Sequence, residues 1–182
     1  MKEKKLNTLF VIIGLAFALT CIVLLGENFF SDEHGFMYNL EVVFDIIASC
    51  AAMAYLVLGY SKDVKNFYKG CMALITANAL VITIINTNEK ASVLSIVMCA
   101  LAFAILVFLT FGKDLGKNKS YIASICLLAI RALGLIICLI GDKSAVGYKD
   151  NVLFLLGQLS IAVLVLLIIY AKYVDKAARG TK

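Results

Sequence analysis

The chain contains no proline and no tryptophan, has one histidine, and only 16% of its residues are charged. Without proline, helices kinked at a proline are excluded. Without tryptophan, any aromatic belt at a membrane surface has to be built from the 8 tyrosines and 11 phenylalanines. The single histidine, His34, lies between apolar runs, which argues against haem ligation within a membrane.

What the chain has instead is apolar sequence: 63% of residues are hydrophobic and the mean hydropathy is +0.98. The charged share is far below the quarter typical of soluble domains. Runs long enough to cross a bilayer recur six times. They cover residues 6–25, 38–60, 70–85, 91–111, 120–140 and 151–171. The sequence therefore predicts an all-α integral membrane protein, in which residues 1–182 form a single bundle of six transmembrane helices.

The basic residues are distributed unevenly between the loops. Of the 17 Lys and Arg, 13 lie before residue 6, in loops 61–69 and 112–119, or after residue 171. Three lie in the other loops. The positive-inside rule then predicts that the N-terminus and the C-terminus are both cytoplasmic. We expect a plasma membrane, and a bacterial one, from the Lys-, Ile- and Asn-rich composition and the short loops.

The first apolar run follows Lys2, Lys4 and Lys5, which is typical of a signal peptide or of a first transmembrane helix. Its length and the lack of a small-residue cleavage site favour an uncleaved helix. The loop at 26–37 is acidic and contains His34. It could be a divalent-cation site or a solvated turn, and the absence of a second histidine favours the turn. We expect no metal and no cofactor.

All six cysteines lie inside apolar runs, without a C-x-x-C motif. This placement predicts buried, free thiols rather than disulfides or metal ligands. The cysteines are Cys21, Cys50, Cys71, Cys99, Cys126 and Cys138.

Arg131 lies in the middle of the fifth predicted span, in the segment CLLAIRALGLIIC. A central arginine costs about 2.5–3.5 kcal/mol to insert, so it is usually tolerated only where it faces a partner, a cavity or a ligand. Ser124, Gly134 and Cys138 recur at helical spacing on or near the same face. Arg131 is therefore the leading candidate for a functional residue.

Three other predicted spans carry polar residues at similar depth. Across a core of about 30 Å, Arg131 and Asn78 fall near the midplane, and Asp45 and Gln158 lie roughly 5 Å to the outer side. Glu41 precedes Asp45 by one helical turn and shares its face. We expect these side chains to converge on a polar cavity that faces the outer side.

This constellation has a functional and a structural interpretation. In the first, Arg131 binds a small polar or anionic solute that Asn78 and Gln158 orient, and Asp45 balances or releases its charge. Glu41 is the fifth residue of this predicted ligand-binding set. In the second, Asp45 and Arg131 form an ion pair that fixes the helix order of a non-catalytic accessory or assembly subunit.

The accessory-subunit interpretation needs a membrane-protein partner. Small residues four apart, Gly14/Ala18 and Ala48/Ala52, would let a helix of such a partner approach closely. Apart from this the expected partner is the lipid bilayer. Nucleic acid is excluded, because the basic residues form no long cationic face interleaved with aromatic residues.

Catalytic chemistry has little support. The chain has no H-E-x-x-H motif, no G-x-S-x-G motif and no pair of aspartates at the midplane. Glu41 and Asp45 lack a third ligand that would hold a hydrolytic metal. We therefore predict that the protein is not an enzyme and has no catalytic residues.

Six spans in about 180 residues, with both ends inside, resemble in size and topology the substrate-binding subunits of energy-coupling-factor vitamin transporters. The Gly14/Ala18 pair is similar to the small-residue face with which those subunits dock on a partner. The resemblance is confined to architecture, and the absence of proline and tryptophan departs from the family's pattern.

Overall fold

A computed structural model describes residues 14, 16, 19, 36–56, 65–88, 93–112, 115–140 and 152–179. This part of the chain is almost entirely helical and contains five long helices. They are α1 (Phe36–Ala54), α2 (Lys65–Asn88), α3 (Val93–Phe111), α4 (Lys117–Ile140) and α5 (Val152–Arg179). Gly14, Ala16 and Leu19, which belong to the first predicted span, are helical as well.

Helices α2 to α5 are each long enough and apolar enough to cross a membrane. Helix α1 has 19 residues and is about 28 Å long. Two helices extend well past their predicted spans: α2 begins at Lys65 instead of 70, and α5 continues to Arg179 instead of ending at 171. Hydropathy marks only the part of a helix that lies in hydrocarbon, whereas lysine- and alanine-containing sequence continues the helix into water.

The surface of the described helices is largely apolar, and their mainly apolar interior also holds a set of buried polar side chains. Large apolar side chains such as Val93 and Ile140 are 78% and 83% exposed, whereas Asp45 and Asn78 are buried. Such an apolar surface is unfavourable in water and favourable in the hydrocarbon of a membrane. In hydrocarbon, polar groups have to find their hydrogen-bond partners inside the bundle. Together with the four apolar helices, this arrangement is that of a multi-pass membrane protein.

The helices form a closed ring. Each packs against the next along the chain, and α5 packs against α1. Tyr68 near the start of α2 contacts Leu109 near the end of α3, while Asn86 at the other end of α2 meets Ser95 near the start of α3. Successive helices are therefore antiparallel, and α1 and α5, which close the ring, run parallel.

Two faces that the sequence analysis assigned to a partner are covered by the chain itself. Ala48 and Ala52 of α1 are fully buried. Gly14 lies against the segment after α1, where a Cβ atom would come within 2.5 Å of Leu56 Cδ1; Ala18 lies outside the described residues. Small residues promote close helix approach within one chain as readily as between chains, which is why spacing alone did not identify the neighbour.

The cysteine prediction is partly wrong. Cys50, Cys71, Cys99 and Cys126 are free thiols, and Cys71 and Cys99 are buried, but Cys50 and Cys126 are exposed on the outside of the bundle. Apolar context places a residue in a span, whereas the rotation of the helix decides whether it faces the core or the lipid. Cys21, the side chain of Cys138 and the acidic loop with His34 lie outside the described residues.

Candidate polar site between the helices

Asp45 of α1 is the centre of the buried polar network. Its Oδ1 atom accepts hydrogen bonds from Asn78 Nδ2 of α2 at 2.7 Å and from Gln158 Nε2 of α5 at 2.6 Å. Helices α2 and α5 are the two neighbours of α1 in the ring, so both amides reach the carboxylate from opposite sides. The convergence of these three side chains is confirmed, and it ties three helices together in the interior.

Arg131 of α4 is buried, with 9% of its surface exposed. Its one hydrogen-bond partner within the described part of the chain is Cys99 Sγ of α3, 3.9 Å from Nη1. Sulfur is a weak acceptor, and a guanidinium carries five N–H donors. Among the described residues, most of the hydrogen-bonding capacity of this buried cation is therefore unused. Of the residues predicted to share its face, Ser124 and Gly134 are indeed buried.

Asp45 and Arg131 do not form the direct ion pair that the structural interpretation requires. The hydrogen bonds of Asp45 within the described residues come from Asn78 and Gln158, and both end on Oδ1. The ring order explains this difference: α1 packs on α2 and α5, whereas α4 packs on α3 and α5. The two charges interact electrostatically without contact.

Several buried oxygens of this network have no hydrogen-bond partner in the described structure. They are Asp45 Oδ2, Asn78 Oδ1 and Ser49 Oγ, the last one turn further along α1. Native proteins satisfy the large majority of buried polar atoms, so each exception calls for an explanation such as a catalytic role, a water or an ion. Asp45 and Asn78 thus each have one buried oxygen that can accept a further hydrogen bond.

A small void lies beside Arg131, inside the ring. Its volume is about 10 Å³, which leaves room for about one water molecule. Arg131, Asn78 and Gln158 are its polar lining, and the rest is apolar. The apolar lining consists of Ile75, Ala79, Leu106, Leu127, Ile161 and Ala162. In this conformation the void is far smaller than the pockets of about 300–1,000 Å³ that typically hold small molecules.

Glu41 is fully buried one turn before Asp45 on α1. It is not among the residues that line the void, and neither is Asp45. The five predicted ligand-binding residues therefore divide into two groups. Arg131, Asn78 and Gln158 line the void, whereas Asp45, which accepts from the two amides, and Glu41 do not.

The roles of Cys99 and Asn86 were not predicted from the sequence. Asn86 lies just beyond the predicted span 70–85, but it is buried in the last turn of α2 and donates hydrogen bonds to Ile82 O at 3.0 Å and to Cys99 Sγ at 3.6 Å. The thiol therefore contacts both Asn86 and Arg131. A signal was present, because Ser95, Cys99 and Ala102 repeat at helical spacing within an otherwise bulky apolar run.

A second polar region lies at the other end of the bundle. Five tyrosines from α2, α4, α5 and the segment after α1 gather there, and we call them the tyrosine cluster. They are Tyr55, Tyr68, Tyr121, Tyr170 and Tyr173. Tyr68 donates to Leu109 O at 3.2 Å and Tyr173 donates to Leu115 O at 2.6 Å. The Lys172 ammonium lies 3.8 Å above the centre of the Tyr68 ring.

Between the two regions, Thr76 of α2 and Thr110 of α3 share a hydrogen bond of 2.8 Å. Each hydroxyl also bonds a carbonyl one turn earlier in its own helix, Met72 O and Leu106 O respectively, at 2.7 Å. The two hydroxyl hydrogens are shared among these three contacts, so both are used within the chain.

Comparison of the chain with known protein families, with curated proteins and with solved structures finds no match in any of the three. The resemblance to substrate-binding transporter subunits is therefore one of size and predicted topology alone.

Proposed function

We propose that the chain is a six-span protein of a bacterial plasma membrane that binds or moves a small polar or anionic solute at Arg131, Asn78 and Gln158. One observation carries the proposal: Arg131 is buried beside a void that it shares with two amides, and its only hydrogen-bond partner in the described residues is a sulfur. A cation that is merely structural is expected to have a contacting counterion.

The chemistry of the lining fits a small anion. A guanidinium presents a planar fork of N–H donors that matches a carboxylate or another oxyanion in a bidentate geometry. Asn78 and Gln158 already donate to Asp45, and Asn78 Oδ1 is free to accept a hydrogen bond from a solute group. The three side chains could therefore bind and orient a solute that has both a negative charge and a polar donor.

Binding requires the void to enlarge, and α4 is the least buried of the four apolar helices that line it. Only 28% of its span is buried, compared with 50% for α2 and 56% for α5. The Asp45, Asn78 and Gln158 bonds involve none of its residues. Displacement of α4 would open the site and carry Arg131 with it, while the bonds that hold α1, α2 and α5 together stay intact.

The orientation follows from where the basic residues lie. Lys69, Lys117, Lys119 and Lys172 are on the helix ends at the tyrosine cluster, and the opposite helix ends carry no Lys or Arg among the described residues. By the positive-inside rule the tyrosine cluster faces the cytoplasm and both termini are cytoplasmic. Gln158 lies in the second turn of α5, so the polar site is nearer the outer surface.

The alternative is a non-catalytic accessory or assembly subunit. It has less support, because Gly14, Ala48 and Ala52, which would have met a partner, are buried within this chain. The direct Asp45–Arg131 ion pair on which it also relied is absent from the described contacts.

The test is thermal unfolding of the purified protein in detergent with sodium formate, acetate or nitrate, and with uncharged glycerol. We expect at least one anion to raise the melting temperature of the wild type, since a ligand at 100 times its Kd stabilises by about 2.7 kcal/mol. Arg131→Leu should abolish this increase, and Arg131→Lys should retain part of it because the charge remains and the fork is lost.

Thr76→Val is the matched control, because it alters a buried polar residue of α2 outside the void. It should lower the melting temperature slightly and leave the anion effect unchanged. An equal anion effect in wild type and Arg131→Leu would show that the anions act elsewhere on the protein. No effect of any anion on the wild type would contradict the proposal of an anion site.

A further inference from the structure

Asp45 has no assigned part in holding the solute, and its geometry suggests another role. We propose that Asp45 takes up one proton when an anion binds at Arg131, so that solute binding is coupled to proton binding. This inference rests on the proposed function. It adds that the site exchanges a solute together with a proton, instead of a solute alone.

The first step of the argument is charge balance. Arg131 and Asp45 carry opposite formal charges in the same interior and balance each other at a distance. An anion that binds to Arg131 cancels the positive charge and leaves the Asp45 carboxylate as an excess negative charge. Uncompensated charge is strongly disfavoured in a buried, low-dielectric environment. One proton from bulk water, bonded to Asp45, restores a net charge of zero.

The second step is the position at which that proton can bind. Both amide donors, from Asn78 and Gln158, end on Asp45 Oδ1. Oδ2 is fully buried and accepts no hydrogen bond from the described residues. A proton can therefore form an O–H bond at Oδ2 without displacing either amide. The neutral carboxyl group still accepts both hydrogen bonds at Oδ1, so the helix contacts survive.

The third step is the physical link between the two sites. Asn78 and Gln158 contact Asp45 on one side and line the void beside Arg131 on the other. The carboxylate and the cation are thus linked through the two amides and make no direct contact among the described residues. Arg131 therefore stays available to an external anion, and Asp45 is the group that takes up a proton when the anion binds.

Other titratable groups near Asp45 define the controls. Glu41 lies one turn away on α1, and Cys99 faces the interior from α3. The side chains that α2 and α5 bring to Asp45 are amides, and α4 contributes Arg131. Glu41 is therefore the one other carboxyl group in this part of the described structure that could take up the proton in place of Asp45.

The experiment measures proton uptake in weakly buffered detergent solution with a pH indicator while formate, acetate or nitrate is added. These anions are fully ionised between pH 6 and 8, so any proton taken up binds to the protein. We expect about one proton per anion bound, and a Kd that rises about tenfold per pH unit above neutrality, as linkage requires for one coupled proton.

Asp45→Asn supplies the sharpest comparison, because asparagine keeps an oxygen for the amides and is neutral. This variant should bind the anion with unchanged or higher affinity, without proton uptake and without pH dependence. Glu41→Gln should keep both the uptake and the pH dependence. Proton uptake that persists in Asp45→Asn and disappears in Glu41→Gln would show that Glu41 takes up the proton and would overturn the assignment to Asp45.

The outcomes separate the two proposals. Anion binding by the wild type without proton uptake overturns the coupling and leaves the solute site standing. Failure of all three anions to bind overturns the proposed anion site and the coupling with it. The wild-type measurement decides this even where a variant fails to fold.

Discussion

The polar site and the tyrosine cluster are both made of polar side chains from several helices, but they differ in how completely those side chains are bonded. Tyr68 and Tyr173 donate to backbone carbonyls, and their rings contact other aromatic rings. In the polar site Asp45 Oδ2 and Asn78 Oδ1 lack partners in the described structure. The tyrosines therefore use their hydrogen-bonding groups within the fold, whereas the polar site keeps unused acceptor atoms among the described residues, which supports the proposed solute site.

The largest effect should come from removing the carboxylate. Asp45→Ala leaves two buried amides without their acceptor and a buried arginine without a balancing charge. We expect a loss of about 3–5 kcal/mol in the free energy of unfolding, the range found when one member of a buried charge pair is removed. Denaturant titration in detergent measures it. Asp45→Asn, which keeps an acceptor, should lose far less.

At the tyrosine cluster we expect a smaller effect from Tyr173→Phe. The substitution removes the hydroxyl group that donates to Leu115 O and shares a hydrogen bond with Ser120. Its cost should be about 1 kcal/mol, the net value of a typical hydrogen bond, because the ring contacts remain. Anion binding should not change. If Tyr173→Phe cost more than Asp45→Ala in the same titration, our ranking of the two regions would be wrong.

The smallest effect should come from Lys172→Met, which removes the ammonium above the Tyr68 ring. A cation–π contact of this kind contributes about 0.5–1 kcal/mol near a surface. Lys172→Arg should preserve most of it. Comparison of the two variants by thermal unfolding at one salt concentration isolates the contribution of the charge above the ring.

Much of the helical architecture could be predicted from hydropathy. The predicted spans 91–111 and 120–140 differ from α3 and α4 by only two or three residues at one end. The predicted start of α2 and the predicted end of α5 differ more from the structure. The thickness of the membrane limits the length of the apolar run but not the length of the helix. The number of spans depends on residues outside the described ranges, and the orientation rests on the positive-inside rule, so both stay predictions.

The depth of a residue along its span could be predicted from the sequence, whereas the rotation of each helix about its own axis could not. Depth brought Asp45, Asn78 and Gln158 together correctly. The lack of direct contact between Asp45 and Arg131 depends on helix order, since α2 and α5 flank α1. The roles of Cys99 and Asn86, and the exposure of Cys50, likewise depend on which face of each helix turns inward, which one sequence does not specify.

Closure of the ring by parallel contact between α1 and α5 has a consequence for biosynthesis. Gln158 follows Asp45 by 113 residues and Asn78 follows it by 33. At about 5–20 residues per second, the ribosome completes the nearer partner within seconds and the farther one only after about 6–23 s. During that interval Asn78 alone can partner the carboxylate. An α1–α2 hairpin is thus the earliest unit that can leave the insertion machinery with Asp45 already hydrogen-bonded to Asn78.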